Sequence, residues 1–174
     1  FLIDVKAQNE PRLVFPATSK IIQVGETFSI DVIVDTAGQK VHGTGAKIGF
    51  NSEILEVESI KPGTIFGDYP NVSYDNEKGK IIVSGIASSV NDEFSGQGVF
   101  ATLTFRAINK GGTMIQFAYE PGSTTDSNIA VTYGTGDILA EVNSLQVTVS
   151  SETSGKTSVP TNAPTQEESE TMSV

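Results

Sequence analysis

The stretch Val24–Gly63 constrains the fold more than any other part of the chain. Phe28, Ile30, Val32 and Val34 alternate with Ser29, Asp31, Ile33 and Asp35. Successive side chains of an extended strand point to opposite faces, so this period of two predicts a strand with one buried face. A turn cluster follows around Gly38, and Ala46, Ile48 and Phe50 then resume the alternation against Gly45, Lys47 and Gly49. Asn51-Ser52-Glu53 makes a polar corner, Ile54–Ile60 forms the next strand, and Lys61-Pro62-Gly63 stops it with a turn. Strand, corner, strand and turn in quick succession predict a β-sandwich, and no catalytic motif lies among them.

The same pattern extends along the chain. Leu13-Val14-Phe15 is a short first strand stopped by Pro16. Val72–Tyr74 and Lys80–Ala87 flank Asp75–Gly79, whose Asn, Asp and Gly residues suit a hairpin loop. In Gly98–Ala107, Val99, Ala101, Leu103 and Phe105 are expected on one face, with Phe100, Thr102, Thr104 and Arg106 on the other. Gly111-Gly112 punctuates that strand, and Thr113–Tyr119, Ile129–Tyr133 and Ser144–Val149 complete the series. Some nine or ten short strands with turns between them, and no amphipathic helix, predict an all-β sandwich or jelly roll.

A chain of 174 residues with 37% hydrophobic content supplies one domain and an appendage. Nearly all of the apolar residues fall within 13–149, the predicted sandwich, after an N-terminal extension over 1–12. Residues 150–174 are rich in Ser, Thr, Pro and Glu, with Pro160 and Pro164 keeping them extended, and are expected to be a disordered linker or tail. The absence of cysteine excludes disulfides and thiolate chemistry. A net charge of −10 argues against nucleic acid, which needs clustered Lys and Arg. No apolar run is long enough to span a bilayer, so no direct membrane insertion is expected, and Phe1-Leu2-Ile3 is interrupted by Asp4.

Catalysis finds little to stand on. His42 is the single histidine and lies in a predicted loop, where a solvated ring is the expected state. Glu53, Glu56 and Glu58, then Asp75 and Glu77, then Asp92 and Glu93 are numerous carboxylates, but glycoside hydrolysis needs a cleft and aromatic platforms, and there is no Trp. Asp75-Asn76-Glu77 and Asn91-Asp92-Glu93 place oxygen atoms in loops without the EF-hand pattern, so solvated turns are expected in preference to calcium sites. No metal and no cofactor is assigned. Tyr69, Tyr74, Tyr119 and Tyr133 do not fall on one strand, although Tyr69 and Tyr74 are close enough to share a loop edge. Asn71-Val72-Ser73 fits the N-glycosylation sequon in a predicted loop.

Four segments, in this order and spacing, resemble a cohesin domain: Val24–Thr27 leading into Ile30–Val32, Gly49–Val57, Gly79–Gly85, and Gly98–Phe105. The resemblance covers about Leu13 to Val149 and implies a nine-stranded jelly roll without catalysis that binds dockerin domains through one sheet face. In the cellulosomal type I members that face carries polar residues on the strand before the Asn/Asp corner, and an apolar and an acidic residue on the strand matching Lys80–Ala87. The positions here are Gly43 and Gly45, then Gly85 and Ser88, which removes the side chains of the family's usual hydrogen bonds and apolar contact. The same face is expected to offer Lys47, Val83, Thr102 and Thr104, placed opposite the core residues of their strands.

The expectation is therefore a cohesin-like β-sandwich on a disordered tether, outside the cell or on its surface, holding a dockerin-like protein partner. Lys47, Val83, Gly85, Ser88, Thr102 and Thr104 are the expected contact residues. Two alternatives remain open at this stage: a carbohydrate-binding module that takes polysaccharide, and a structural stalk or adhesin domain.

Overall fold

The computed structural model of the chain describes residues 10–123, 125–131 and 136–151. The extension before residue 10, Tyr133 and nearly all of the predicted tail lie outside them. The described residues hold twelve strands: β1 (Arg12–Val14), β2 (Ser19–Gln23), β3 (Thr27–Asp35), β4 (Gly43–Gly49), β5 (Leu55–Pro62), β6 (Asp68–Asp75), β7 (Lys80–Ile86), β8 (Gln97–Ala107), β9 (Gly111–Phe117), β10 (Asn128–Ala130), β11 (Glu141–Val142) and β12 (Ser144–Ser150). Two sheets face each other. One has the order β11-β1-β3-β8-β5, and the other runs β2-β12-β9-β4-β7-β6 with β10 paired to β4. This is the all-β jelly-roll sandwich expected from the sequence, with more strands than the nine implied by the resemblance. The short β2 and β11 account for part of the excess. Each pairs parallel to its neighbour, β2 with β12 and β11 with β1.

Alternation places the core as expected in most strands. Phe28, Val32 and Val34 of β3 are buried, as are Ala46 and Ile48 of β4 and Ile115 and Phe117 of β9. Strand β8 departs from the expected phase. Val32 pairs with Ala101 and Ile33 with Val99, so Phe100 is an extra residue in a β-bulge. The bulge turns Phe100 into the core and leaves Val99 exposed, the reverse of the simple alternation.

Two aromatic clusters fill the space between the sheets. Phe105 lies 5.6 Å from Phe28 and 5.4 Å from Phe50, the second contact edge-on. At the other end Phe66 meets Tyr69, Phe94 and Phe100 edge-on with centroids 6.0 to 6.3 Å apart. Offset and edge-to-face rings pack favourably because the positive edge of one meets the negative face of the other.

The β6–β7 hairpin is fixed from both sides. Gly79 has φ +62°, and a Cβ there would lie 2.1 Å from the Phe50 carbonyl oxygen, so a side chain is excluded. The Phe50 amide donates to the Gly79 carbonyl at 2.9 Å. Asn76 accepts from the Val57 amide at 2.8 Å and donates to the Val57 carbonyl at 3.0 Å, tying the hairpin to the opposite sheet.

Candidate partner-binding face

The outward face of the seven-stranded sheet is built from alternate residues of β12, β9, β4, β7 and β6. The register pairs Gly43 with Ile86, Gly45 with Ser84, Lys47 with Ile82 and Gly49 with Lys80. Ala46, Ile48, Ile81 and Val83 point the other way and are buried. On β9 the outward residues are Met114 and Gln116, with Met114 49% exposed, while Ile86 on β7 is 39% exposed. Ile86 at one end and Met114 at the other give this face exposed apolar side chains, and Gly49 leaves it open at the Met114 end.

A groove runs along this face where β4 leaves the sheet at Gly49. One part is an open recess of about 750 Å³ that includes Asn51, Lys78, Lys80, Met114, Gln116 and Gln146 among its walls. The adjoining part, about 290 Å³, is lined by Lys47, Gly49, Lys80, Ile82 and Ala118 among others. A Cβ on Gly49 would meet nothing within 4 Å. Lys47 is held by its surroundings: its amide donates to Ser127 Oγ at 3.0 Å, and its Nζ donates to the Thr125 carbonyl.

The structure separates the residues expected from the sequence to share one face. Lys47 lies on the groove. Ser88 is exposed in the loop just after β7, against Gly67. Val83 and Gly85 are corrected: both face the core, because the register places Lys47 opposite Ile82 and so directs Ile82, Ser84 and Ile86 outward. Thr102 and Thr104 are corrected as well, since they belong to the other sheet and point away from the groove. There Thr102 donates to Asp31 at 2.6 Å and Thr104 shares a hydrogen bond with Ser29 at 2.9 Å. Ile82, Ile86, Met114, Gln116 and Lys80 also lie on this outward face and were not among the contact residues expected from the sequence. Met114 and Gln116 alternate with buried Thr113, Ile115 and Phe117 and were legible, whereas Ile81-Ile82-Val83 is uniformly apolar and hides its phase.

Other polar groups are engaged elsewhere. Asp75 accepts from the amides of Glu77 and Lys78 at 3.0 Å, and lies 3.0 Å from Lys78 Nζ. The hydrogen bonds from Lys78, backbone first and then side chain, hold its carboxyl below the usual range. In the second acidic loop Asp92 accepts from Ser89 Oγ at 2.8 Å. Tyr69 packs its ring against Phe66 and Phe100, and Tyr119 donates to the Leu139 carbonyl at 2.9 Å. The sequon lies on β6 rather than in a loop, with Asn71 exposed and Ser73 Oγ donating to Asn71 Oδ1 at 2.9 Å.

The two-sheet all-β sandwich thus carries an open, partly apolar recess on its larger sheet. The cohesin domain model matches residues 12–149, and the chain belongs to the cohesin domain family. Solved structures with this fold include the third cohesin of ScaC from Acetivibrio cellulolyticus, in complex with the ScaB dockerin, at 14% identity and TM-score 0.64 over 80% of this chain and 98% of that one. The cohesin Coh-OlpC of Clostridium thermocellum, solved as a type I complex with a dockerin, is 19% identical with TM-score 0.63, covering 82% and 94%. A non-cellulosomal cohesin from the archaeon Archaeoglobus fulgidus is 14% identical with TM-score 0.62, covering 83% and 94%. No curated protein matches the chain.

Proposed function

We propose that this chain is a non-catalytic protein-binding module that captures a dockerin-type partner on the outward face of its seven-stranded sheet. The observation that carries the reading is the open groove over Gly49, flanked by Ile82 and Met114, in a member of the cohesin family. Two of the cohesins of the same fold named above stand in complexes with dockerins. A sheet face of this kind gives affinity through apolar cover at its centre and register through polar groups at its rim. Gly43 is buried and the Asn128 side chain lies over Gly45, 3.2 Å from where a Cβ would stand, so contact falls to the flanking residues of β7 and β9. No helix among the described residues is long and apolar enough to cross a membrane. A place outside the cell, with residues 150–174 as a tether, completes the reading.

His42 Nδ1 is buried without a hydrogen-bond partner among the described residues, where the sequence led us to expect a solvated ring. Among the described residues no group of three His, Cys, Asp or Glu is set to hold a metal ion.

The test is a titration of the full chain with a panel of dockerin modules, with and without EDTA, using two variants as controls. Saturable binding that Gly49→Tyr abolishes and Thr102→Ala/Thr104→Ala leaves intact is the expected result. Binding lost only in the threonine variant would move the site to the other sheet. Retention of polysaccharide and of no dockerin would transfer the assignment to a carbohydrate-binding module.

A further inference from the structure

We propose that the partner segment seated in the groove is acidic: its carboxylates meet Lys47 and Lys80, and its apolar side chains cover Ile82 and Met114. This rests on the reading that the outward face is the binding face, and adds the chemistry of what binds there.

The argument begins with the charge of the whole chain. Asp and Glu total 21 against 11 Lys and Arg, for a net charge of −10, so most of the surface repels an acidic partner. The groove departs from that background. Lys47, Lys78 and Lys80 line its two recesses together with the amides of Gln116 and Gln146, and no carboxylate lines either one. Lys78 is neutralised by Asp75 at 3.0 Å. Lys80 has no ion pair among the described residues, and Lys47 Nζ donates to a backbone carbonyl, which carries no compensating charge. Two cations without an ion pair among the described residues thus stand at the edge of an apolar recess in an otherwise acidic molecule, and the one carboxylate opposite Lys80 in the β6–β7 register, Asp75, is already paired with Lys78.

Such an arrangement selects by exclusion as much as by attraction. A basic segment is drawn to the rest of the protein but meets like charge in the groove, whereas an acidic one is repelled everywhere else and attracted here. A polymer of sugar acids would satisfy the lysines and leave Met114 and Ile82 against hydroxyl groups. A protein segment supplies both carboxylates and apolar cover.

Three synthetic peptides test this, sharing one set of leucines and carrying Glu, Gln or Lys at their polar positions. Their affinities for the full chain are measured by fluorescence anisotropy at low and high salt. The Glu peptide is expected to bind most tightly and to weaken with salt. Two partly exposed ion pairs together correspond to about tenfold in affinity, so Lys47→Glu/Lys80→Glu should lower Glu-peptide binding by about that factor and favour the Lys peptide. Circular dichroism and thermal unfolding establish that the variants are folded. Preference for the Lys or Gln peptide, with binding still lost in Gly49→Tyr, would overturn the acidic partner and leave the face assignment standing. Binding indifferent to Gly49→Tyr would overturn the face assignment itself. Failure of all three peptides, or lysine-dependent binding of polygalacturonate alone, would also overturn the proposal.

Discussion

Gly85 faces the rings of Phe66 and Phe100, and a Cβ on it would lie 2.7 Å from the first and 2.8 Å from the second. The missing side chain at this position is therefore filled from within by the core. Gly85→Ala is expected to destabilise the domain by about 1–3 kcal/mol, the usual cost of overpacking a filled core. Urea denaturation measures it. A change near zero would mean that the two rings move aside without cost.

Gly49 provides the opposite case on the same sheet. A Cβ there meets nothing within 4 Å, and its backbone does not occupy the left-handed region. Gly49→Ala should leave stability unchanged or raise it by about 0.4–1 kcal/mol, because it restricts only the unfolded chain. The two glycines, so alike in sequence, should separate clearly in one thermal unfolding experiment.

Asn76 joins the two sheets through both hydrogen bonds to the Val57 backbone. Asn76→Ala leaves that amide and carbonyl without their partner and should cost about 1–3 kcal/mol. Hydrogen exchange localises the effect: the Val57 amide should lose protection before the rest of β5. Unchanged protection at Val57 would show that another group holds it.

Burial raises the Tyr69 phenol above its ordinary range. A folded-state pKa above the unfolded value means that the neutral phenol is the form the fold favours. Its contribution is complete below the ordinary phenol pKa of about 10 and is lost as pH rises through the folded value. Tyr69→Phe should therefore flatten the alkaline limb of the stability profile. An equally steep limb in that variant would assign the effect to other groups.

Most strands were legible because alternation is a local property. The alternating residues Phe28–Asp35 fall within the observed strand Thr27–Asp35, and the second alternating run, from Gly45 to Phe50, overlaps the strand Gly43–Gly49. What alternation does not carry is the sheet to which a strand belongs, or the phase of a uniformly apolar run. Thr102 and Thr104 alternate correctly and still point away from Lys47, because β8 lies in the opposite sheet. Val83 sits in a run of three apolar residues whose phase is set by pairing with β4, a long-range fact. The bulge at Phe100 likewise becomes visible only against β3. Strand β2 escaped notice for a local reason: Ile22 is its single buried residue, so it shows no alternation.

The placement of β12 bears on how the molecule can be made. It lies between β2 and β9, and among the described residues β2 has no other strand partner. Until residues Ser144–Ser150 leave the ribosome, the earliest-made strand of this sheet has nothing to pair with, and β9 presents a bare edge. Leu145, Val147 and Val149 also complete the core from this strand. Nascent chains halted before it would expose two strand edges and an unfilled interior, so vectorial synthesis can collect the pieces of the larger sheet but must wait for its last strand to close it.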